Sequence, residues 1–400
     1  MKNETFFWED YLILNTDIIN HNNETGALSH YEKHGLKEKR QTKLQDISKY
    51  SFIYKFDHQK NNLKNIIYQT YGLQLNMNEK NTIDCSHDFF YLCNKFKIVE
   101  ETHKNILYFI LKRTNNKKPK NNTKNHNFQF VISLYNEKKI DRAMELLLVL
   151  SMNLQNKYIQ TIHVLFENNG NTRDNFIRTV INTLLIRNKL YENLKIVNIK
   201  EKPNFSYIFK YSNQLPKSSN VMVANSDIVL DDSLAQIGNK LKDDDFICLS
   251  RYNWDKSLKS WNLIYMEFGG NKYKNVFSHD VWIFKSPMKH SINIDICLGD
   301  MFSDSYIDFK LKNTTNYSCF NLAKSIRAHH IQDEDSFSAL VKENPNLMSS
   351  LLENIKKKEH GNQDVLYGIH YSTIEQWNPA NKNKFASNLY FQQHTSEFLC

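Results

Sequence analysis

Glycine and proline are scarce in this chain, 10 and 6 among 400 residues, which excludes collagen-like, propeller-type and low-complexity disordered architectures. The six cysteines, Cys85, Cys93, Cys248, Cys297, Cys319 and Cys400, form no CxxC pair and no metal-like spacing. Free thiols in a reducing compartment are therefore expected. No apolar stretch approaches the roughly eighteen residues of a membrane span. The best of them, at 143–152, belongs to an amphipathic helical pattern, and the acidic opening MKNETFFWED lacks a signal-peptide core. A soluble, cytoplasmic protein with no transmembrane segment is the expectation. Charge of one sign is not concentrated either: 52 Lys and Arg against 43 Asp and Glu leave +9, spread along the chain, whereas nucleic-acid binding needs it focused on one face. The densest basic run, KRTNNKKPKNNTK at 112–124, has no interleaved aromatics and reads as a linker. No nucleic acid is expected as a partner, and the positive balance suits a pyrophosphate-bearing substrate equally well.

What is present is enough for real cores, with 40% hydrophobic and 13% aromatic residues, and the length predicts about two or three domains. From Phe128 the pattern becomes regular. FQFVISLYNE reads as a buried strand and a polar turn, 141–153 as an amphipathic helix, 159–166 as a second strand ending at Glu167, and 172–190 as a helix. A third strand at 194–199 is closed by Lys202-Pro203, and 205–214 is helical. Alternation at this pitch means βαβ units, hence an α/β fold with a mostly parallel sheet flanked by helices. No GxGxxG follows the first strand, so an ordinary dinucleotide site is not expected. Later strands are predicted at 246–249 and 279–284, with an irregular aromatic-rich part between them. A polar elbow at 299–304, a helix at 305–311 and a short strand ending in Ala328-His329-His330 complete the block. Around 128–332 lie a helical N-terminal module at 1–42, with Gly35 as a helix stop, and a mostly helical region of unreadable role at 43–113. A linker at 114–127 and a partly helical extension at 333–400 complete the division.

The fourth strand opens the stretch that carries the chemistry, NVMVANSDIVLDDSL at 220–234. An apolar run meets a polar corner, Asn225-Ser226-Asp227, before a second apolar piece. Open α/β sheets bind ligands at the carboxyl ends of their strands, where Asp227 falls. A carboxylate there can hold a hard divalent cation that keeps positions for substrate phosphates. The competing reading is a strand-to-helix corner with Ser226 or Asp227 as a cap, although Asp231, Asp232 and Ser233 are better placed for that.

Several pieces, in order, resemble a GT-A-fold, family-2-like glycosyltransferase: VISLYNE at 131–137, the strand ending in Glu167, the KPNF turn at 202–205, ANSDIVLDDSL at 224–234, LSRYNW at 249–254, SHDVWIFKSP at 278–287, the Asp304 elbow and IRAHHI at 326–331. Residues 1–42 are similar to a helical module, Y-L-x-L-N-P-D-L … H-Y-x-x-H-G … E-x-R, associated with some bacterial and giant-virus glycosyltransferases. Tyr11, Leu12, Asn15, Asp17, His30, Tyr31, His34, Gly35, Glu38 and Arg40 match, and Thr16 replaces the usual proline. His30 and His34, with no third ligand nearby, read as cap and surface groups rather than a metal site. The module is expected to dock a protein partner or acceptor, and a viral origin would place the protein in host cytoplasm.

The resemblance implies transfer of a sugar from a UDP- or GDP-type nucleoside-diphosphate-sugar to a hydroxyl of a glycan or protein, with inversion. Ser133, Leu134, Tyr135 and Asn136 would flank base and ribose, Glu167 would hydrogen-bond the base, and Lys202 would sit against base or phosphate. Asn225 and Ser226 would line the corner, with Asn225 replacing an acid of the usual DXD motif and so removing charge. Asp227 and His330 would hold Mn2+ or Mg2+. Asp304 would take the acceptor proton, with Asp300 a nearby competitor, and Asp280 would face donor sugar or acceptor. Plainer readings stand beside these. Tyr135-Asn136-Glu137 fits a helix-capping turn, Lys202 a solvated charge, Asp304 a dipole-stabilising cap and His330 a buried satisfied histidine. Alternation lets only one of His329 and His330 face the corner. Trp254 and Trp282 fit sugar stacking or core packing. Two rival functions are a catalytically degenerate sugar- or nucleotide-binding or scaffolding module and a nucleotidyltransferase. The second would carry a glycine-rich loop that VISLYNEKK lacks.

Overall fold

The computed structural model describes residues 6–15, 18, 23–43, 56–74, 86–113, 128–168, 175–190, 192–263, 267–268, 271–272, 279–300 and 303–332. The expected linker at 114–127, the extension at 333–400, Thr16, Asp17, residues 172–174 at the start of the helix expected at 172–190, Ser278 and the 301–302 part of the elbow lie outside the described residues. Helices α1 (Trp8–Leu14), α2 (Glu24–His30), α3 (Phe56–Tyr71), α4 (Ser86–Lys95) and α5 (Glu101–Arg113) precede the regular block. That block runs β1 (Phe128–Leu134), α6 (Ile140–Gln155), β2 (Ile159–Glu167), α7 (Phe176–Arg187), β3 (Leu194–Ile199), α8 (Phe205–Ser212) and β4 (Asn220–Ala224). It continues with β5 (Ile228–Leu230), β6 (Asp245–Leu249), β7 (Arg251–Asp255), β8 (Ser260–Leu263), β9 (Glu267–Phe268) and β10 (Asn271–Lys272). Then follow β11 (Val281–Lys285), α9 (Ser303–Thr314), β12 (Ser318–Asn321) and β13 (Ala328–His330).

The main sheet has the order β12-β6-β11-β4-β1-β2-β3. β1 lies parallel to β2 and β4, and β2 parallel to β3, as the strand–helix alternation predicts. In the other half β12 is also parallel to β6, and β11 alone is inverted, antiparallel to both β4 and β6, so the sheet is mixed but mostly parallel. A parallel return needs a crossover of a dozen or more residues, usually helical. Between β6 and β11 the chain instead makes β strands beside the edge where β6 ends, so it re-enters the sheet from that edge. The segment expected to be irregular is in fact the β7–β8 hairpin, part of a second sheet ordered β5-β13-β7-β8.

Alternation along the strands builds two cores. Phe128, Phe130, Ile132 and Leu134 of β1 face α6 and α7, whereas Val131 joins Val221, Val223, Trp282 and Phe284 against Phe209 of α8 and Ile307 of α9. The central strands are therefore covered on both faces, which is why β1 and β4 read as near-continuous apolar runs. The first core extends into the preceding helices through Tyr11, Leu12, Leu63 and Leu107. Arg187, at the end of α7, fastens them further with ion pairs to Glu9 (2.6 Å), Asp10 (2.7 Å) and Asp88 (3.1 Å). On another side, Trp254 donates to the Gln69 carbonyl and packs edge-on to Tyr68, tying α3 to the hairpin.

Gly35 is not the stop it was expected to be. It lies in a π-helical turn, Tyr31–Gly35, that continues α2, and a β-carbon there would collide with the Tyr11 hydroxyl and the Tyr31 ring. Glycine is needed for that close approach; the left-handed residue beyond it is Lys39, at φ 52°. Among the described residues no helix is long and apolar enough to cross a membrane.

Candidate functional site

The inverted strand β11 assembles the site. Val281 pairs with Ala224, the last residue of β4, so Asp280, which precedes β11, arrives at the edge where β4 turns into Asn225-Ser226-Asp227. Asn225 donates its backbone N–H to the Asp280 carbonyl (3.1 Å) and its Nδ2 to Asp280 Oδ1 (2.8 Å). On the other side of β11, Val281 also pairs with Leu249. The chain leaving β6 there brings in Arg251, whose Nη1 donates to Asp280 Oδ1 at 3.1 Å.

The second sheet supplies the opposite wall. His330 pairs with Ile228, one residue past Asp227, and its Nε2 lies 3.4 Å from Asp227 Oδ2. The Ile331 N–H donates to the Asp227 carbonyl at 2.8 Å. His329, on the other face, is taken up by Asp231 (3.1 Å) and by edge-on packing against Trp261 (4.4 Å between centroids). From the first turn of α6, Arg142 donates to Asp227 Oδ2 (2.5 Å), Glu145 (2.8 Å) and the Ile331 carbonyl (3.2 Å). The far end of the same helix holds β5. Asn153 donates to the Ile228 carbonyl and accepts from the Leu230 N–H, and Asn156 donates to the Leu230 carbonyl.

The charges sort into two zones. Burial alone would raise the Asp227 carboxyl, but His330 and Arg142 beside it outweigh burial and hold it well below the usual carboxylate range. Asp304 shows the opposite behaviour. Burial, then the neighbouring Asp280 charge, push its carboxyl up to about 6, against a lowering pull from His279. Its Oδ2 accepts the His279 backbone N–H at 2.9 Å. Beneath it the His279 ring meets Asp308 at 3.1 Å and Asn321 at 3.2 Å. Cys248, His279 and Asp308 form one buried group of metal-ligating type, and Glu100, His103 and Asp141, between α5 and α6, form a second, mostly exposed one. Burial raises the Cys248 thiol well above its ordinary value, so it remains protonated.

The corner offers a different set. Asp227 Oδ1 and Asn225 Oδ1 are both buried and lack a hydrogen-bond donor. A buried acceptor left unsatisfied costs about 1–3 kcal/mol. Two such oxygens with an imidazole nitrogen suit a hard or borderline divalent cation, so the residues present fit Mn2+ or Mg2+.

The remaining expected residues are distributed more widely. Tyr135 is exposed at the end of β1, its hydroxyl on Glu137 at 3.0 Å. Burial of the hydroxyl, then the Glu137 charge, raise it to about 12, and Arg142 and Asp227 are close enough to act on it. Ser133 Oγ bonds the Leu165 carbonyl (3.4 Å), and Leu134 is fully buried in the core. Asn136, Ser226 and Glu167 are half-buried at strand ends. Lys202 pairs with Asp300 (2.6 Å), so that carboxylate is engaged away from the Asp227 corner. Trp282 is a core residue packed edge-on to Phe205. Sequence reasoning missed Arg142, Arg251 and His279. A signal for Arg142 exists: a cation in the first turn of a helix opposes the macrodipole and therefore calls for an anionic partner.

No family model matches the chain, and comparison with curated proteins finds no match. Among solved structures it is similar to the mannosyltransferase PcManGT from Pyrobaculum calidifontis, in complex with GDP-Man and Mn2+. The identity is 11% over 67% of this chain and 76% of that one, with a TM-score of 0.37. It is also similar to HddC from Yersinia pseudotuberculosis, at 13% identity over 39% of this chain and 76% of that one, with a TM-score of 0.23.

Proposed function

We propose that residues 128–332 form a GT-A-type glycosyltransferase domain that moves a sugar from a nucleoside-diphosphate-sugar to a hydroxyl acceptor with inversion. One observation carries this reading. A carboxylate held ionised (Asp227) and one raised toward neutrality (Asp304) lie at the strand-end edge of the sheet, where Asp280, hydrogen-bonded to Asn225, adds its charge to the burial that raises Asp304. Carboxylates whose environments drive their pKa values apart mark a division of roles. Asp227, Asn225 and His330 would hold Mn2+ or Mg2+, which would supply positive charge to the departing diphosphate. Tyr135, at the end of β1, offers an exposed ring for the base. Asp280, fixed by Asn225 and Arg251, would face the sugar with its carboxylate. Asp304 takes the acceptor proton as its oxygen attacks the anomeric carbon. Its Oδ2 accepts the His279 N–H at 2.9 Å and its Oδ1 a longer, 3.3 Å hydrogen bond from Ser303 Oγ, so Oδ1, the more loosely held, is the receiving oxygen.

The test is release of nucleoside diphosphate from UDP- and GDP-sugars with Mn2+ present. Turnover that disappears in Asp227→Ala and falls by about 100-fold or more in Asp304→Asn supports the reading. A second reading, a non-catalytic sugar- or nucleotide-binding module, is favoured by Arg142 standing on Asp227. Nucleotide binding without any turnover would select it.

A further inference from the structure

Arg142 has no assigned part in the reaction, yet it makes the shortest charged contact in the site. It is only about a quarter exposed, its side chain at 23%, and three acceptors from different parts of the chain hold it: Asp227 Oδ2, Glu145 and the carbonyl of Ile331, next to His330. It therefore grips both elements of the corner, the β4–β5 turn and the end of β13, from the helix that follows the β1 turn. The same carboxylate has a second oxygen, Oδ1, with no donor at all. A protein that needed Arg142 only as a structural clamp would have little reason to leave that oxygen and Asn225 Oδ1 bare. Asn225 is neutral, so the carboxylates that Arg142 meets are those of Asp227 and Glu145.

We infer that Arg142 is an internal stand-in for the divalent cation. It occupies Asp227 while the site is empty and transfers to the diphosphate when cation and nucleotide arrive, so that the two ligands bind cooperatively and neither binds well alone. This inference rests on the transferase reading and adds to it a mechanism of ordered loading. A guanidinium matches phosphate oxygens bidentately as well as it matches a carboxylate. Arg142 can therefore exchange one for the other without being left as a buried unpaired charge. The exchange makes the coupling reciprocal: nucleotide must strengthen cation binding by the same factor by which cation strengthens nucleotide binding.

The experiment is calorimetric titration of Mn2+ alone, of UDP and GDP alone, and of each nucleotide in the presence of Mn2+, on the full chain and on Arg142→Gln. Detaching a charge-assisted hydrogen bond is no longer required in the variant, so Mn2+ alone should bind roughly 10- to 100-fold more tightly. The enhancement of nucleotide binding by Mn2+ should shrink by a similar factor. Arg142→Lys keeps the charge but replaces the planar fork by a compact ammonium that cannot pair bidentately, and should fall between the two; thermal melts report whether each variant is folded. Unchanged or weaker Mn2+ binding by folded variants, with wild-type protein binding both ligands, overturns the inference and leaves the transferase reading intact. Wild-type protein that binds neither Mn2+ nor a nucleoside diphosphate overturns both.

Discussion

Replacing Asp304 by Asn should stabilise the fold while cutting turnover by about 100-fold or more. In the folded protein the carboxyl rises from 3.8 to about 6, first through burial and then through the Asp280 charge. Between those two values the folded state binds more protons than the unfolded chain, so stability falls as pH rises through that window and stays reduced above it. A shift of this size corresponds to about 3 kcal/mol at neutral pH, an upper bound because the side chain retains some contact with water. Asparagine keeps an oxygen for the His279 N–H, so the hydrogen bond survives and only the charge is removed. Denaturant unfolding of wild type and Asp304→Asn would be compared at about pH 7.5 and about pH 4. The variant should gain about 1–3 kcal/mol at the higher pH and nothing at the lower. The rate profile of the wild-type enzyme should carry an acid limb near pH 6, below which Asp304 is protonated and cannot accept a proton. A variant no more stable than wild type at the higher pH, or one whose gain is the same at both, would refute the argument.

Two further predictions concern the scaffold. Arg187→Ala strands Glu9, Asp10 and Asp88 in a partly buried setting; it should cost about 3 kcal/mol and expose α1 and α4 to limited proteolysis before the sheet domain. Gly35→Ala forces a β-carbon into Tyr11 and Tyr31; it should cost about 1–3 kcal/mol by chemical denaturation, without altering nucleotide binding.

The half of the fold built from βαβ units was legible because β1, β2 and β4 are buried along almost their whole length and alternate with apolar helices. Local sequence therefore contains its whole signature. The inverted β11 was not, since VWIF reads the same in either direction and its direction is set by where the preceding hairpin leaves the chain. The same limit hid the second sheet: β13 pairs with β5 and β7, from which it is separated by long stretches of sequence. At the site, Asp227 is legible from its type and strand-end position, whereas Asn225, Asp280 and His330 follow from the glycosyltransferase resemblance; the structure brings these four side chains together with Tyr135 nearby. Lys202 was weighed as a phosphate contact but is paired with Asp300. Arg142 and Arg251 were passed over because a lone arginine in an amphipathic helix or at a strand start is ordinarily a solvated charge. Only tertiary pairing shows that each answers a carboxylate.

The most direct test of the central claim is calorimetric titration of UDP, GDP and CDP into the protein with Mn2+ and again with EDTA, repeated on Asp227→Ala. The account predicts that one nucleoside diphosphate binds, that chelation removes most of the affinity, and that the Asp227 variant does not recover it with added Mn2+. Binding of no diphosphate under any condition, or binding indifferent to both Mn2+ and Asp227, would contradict it.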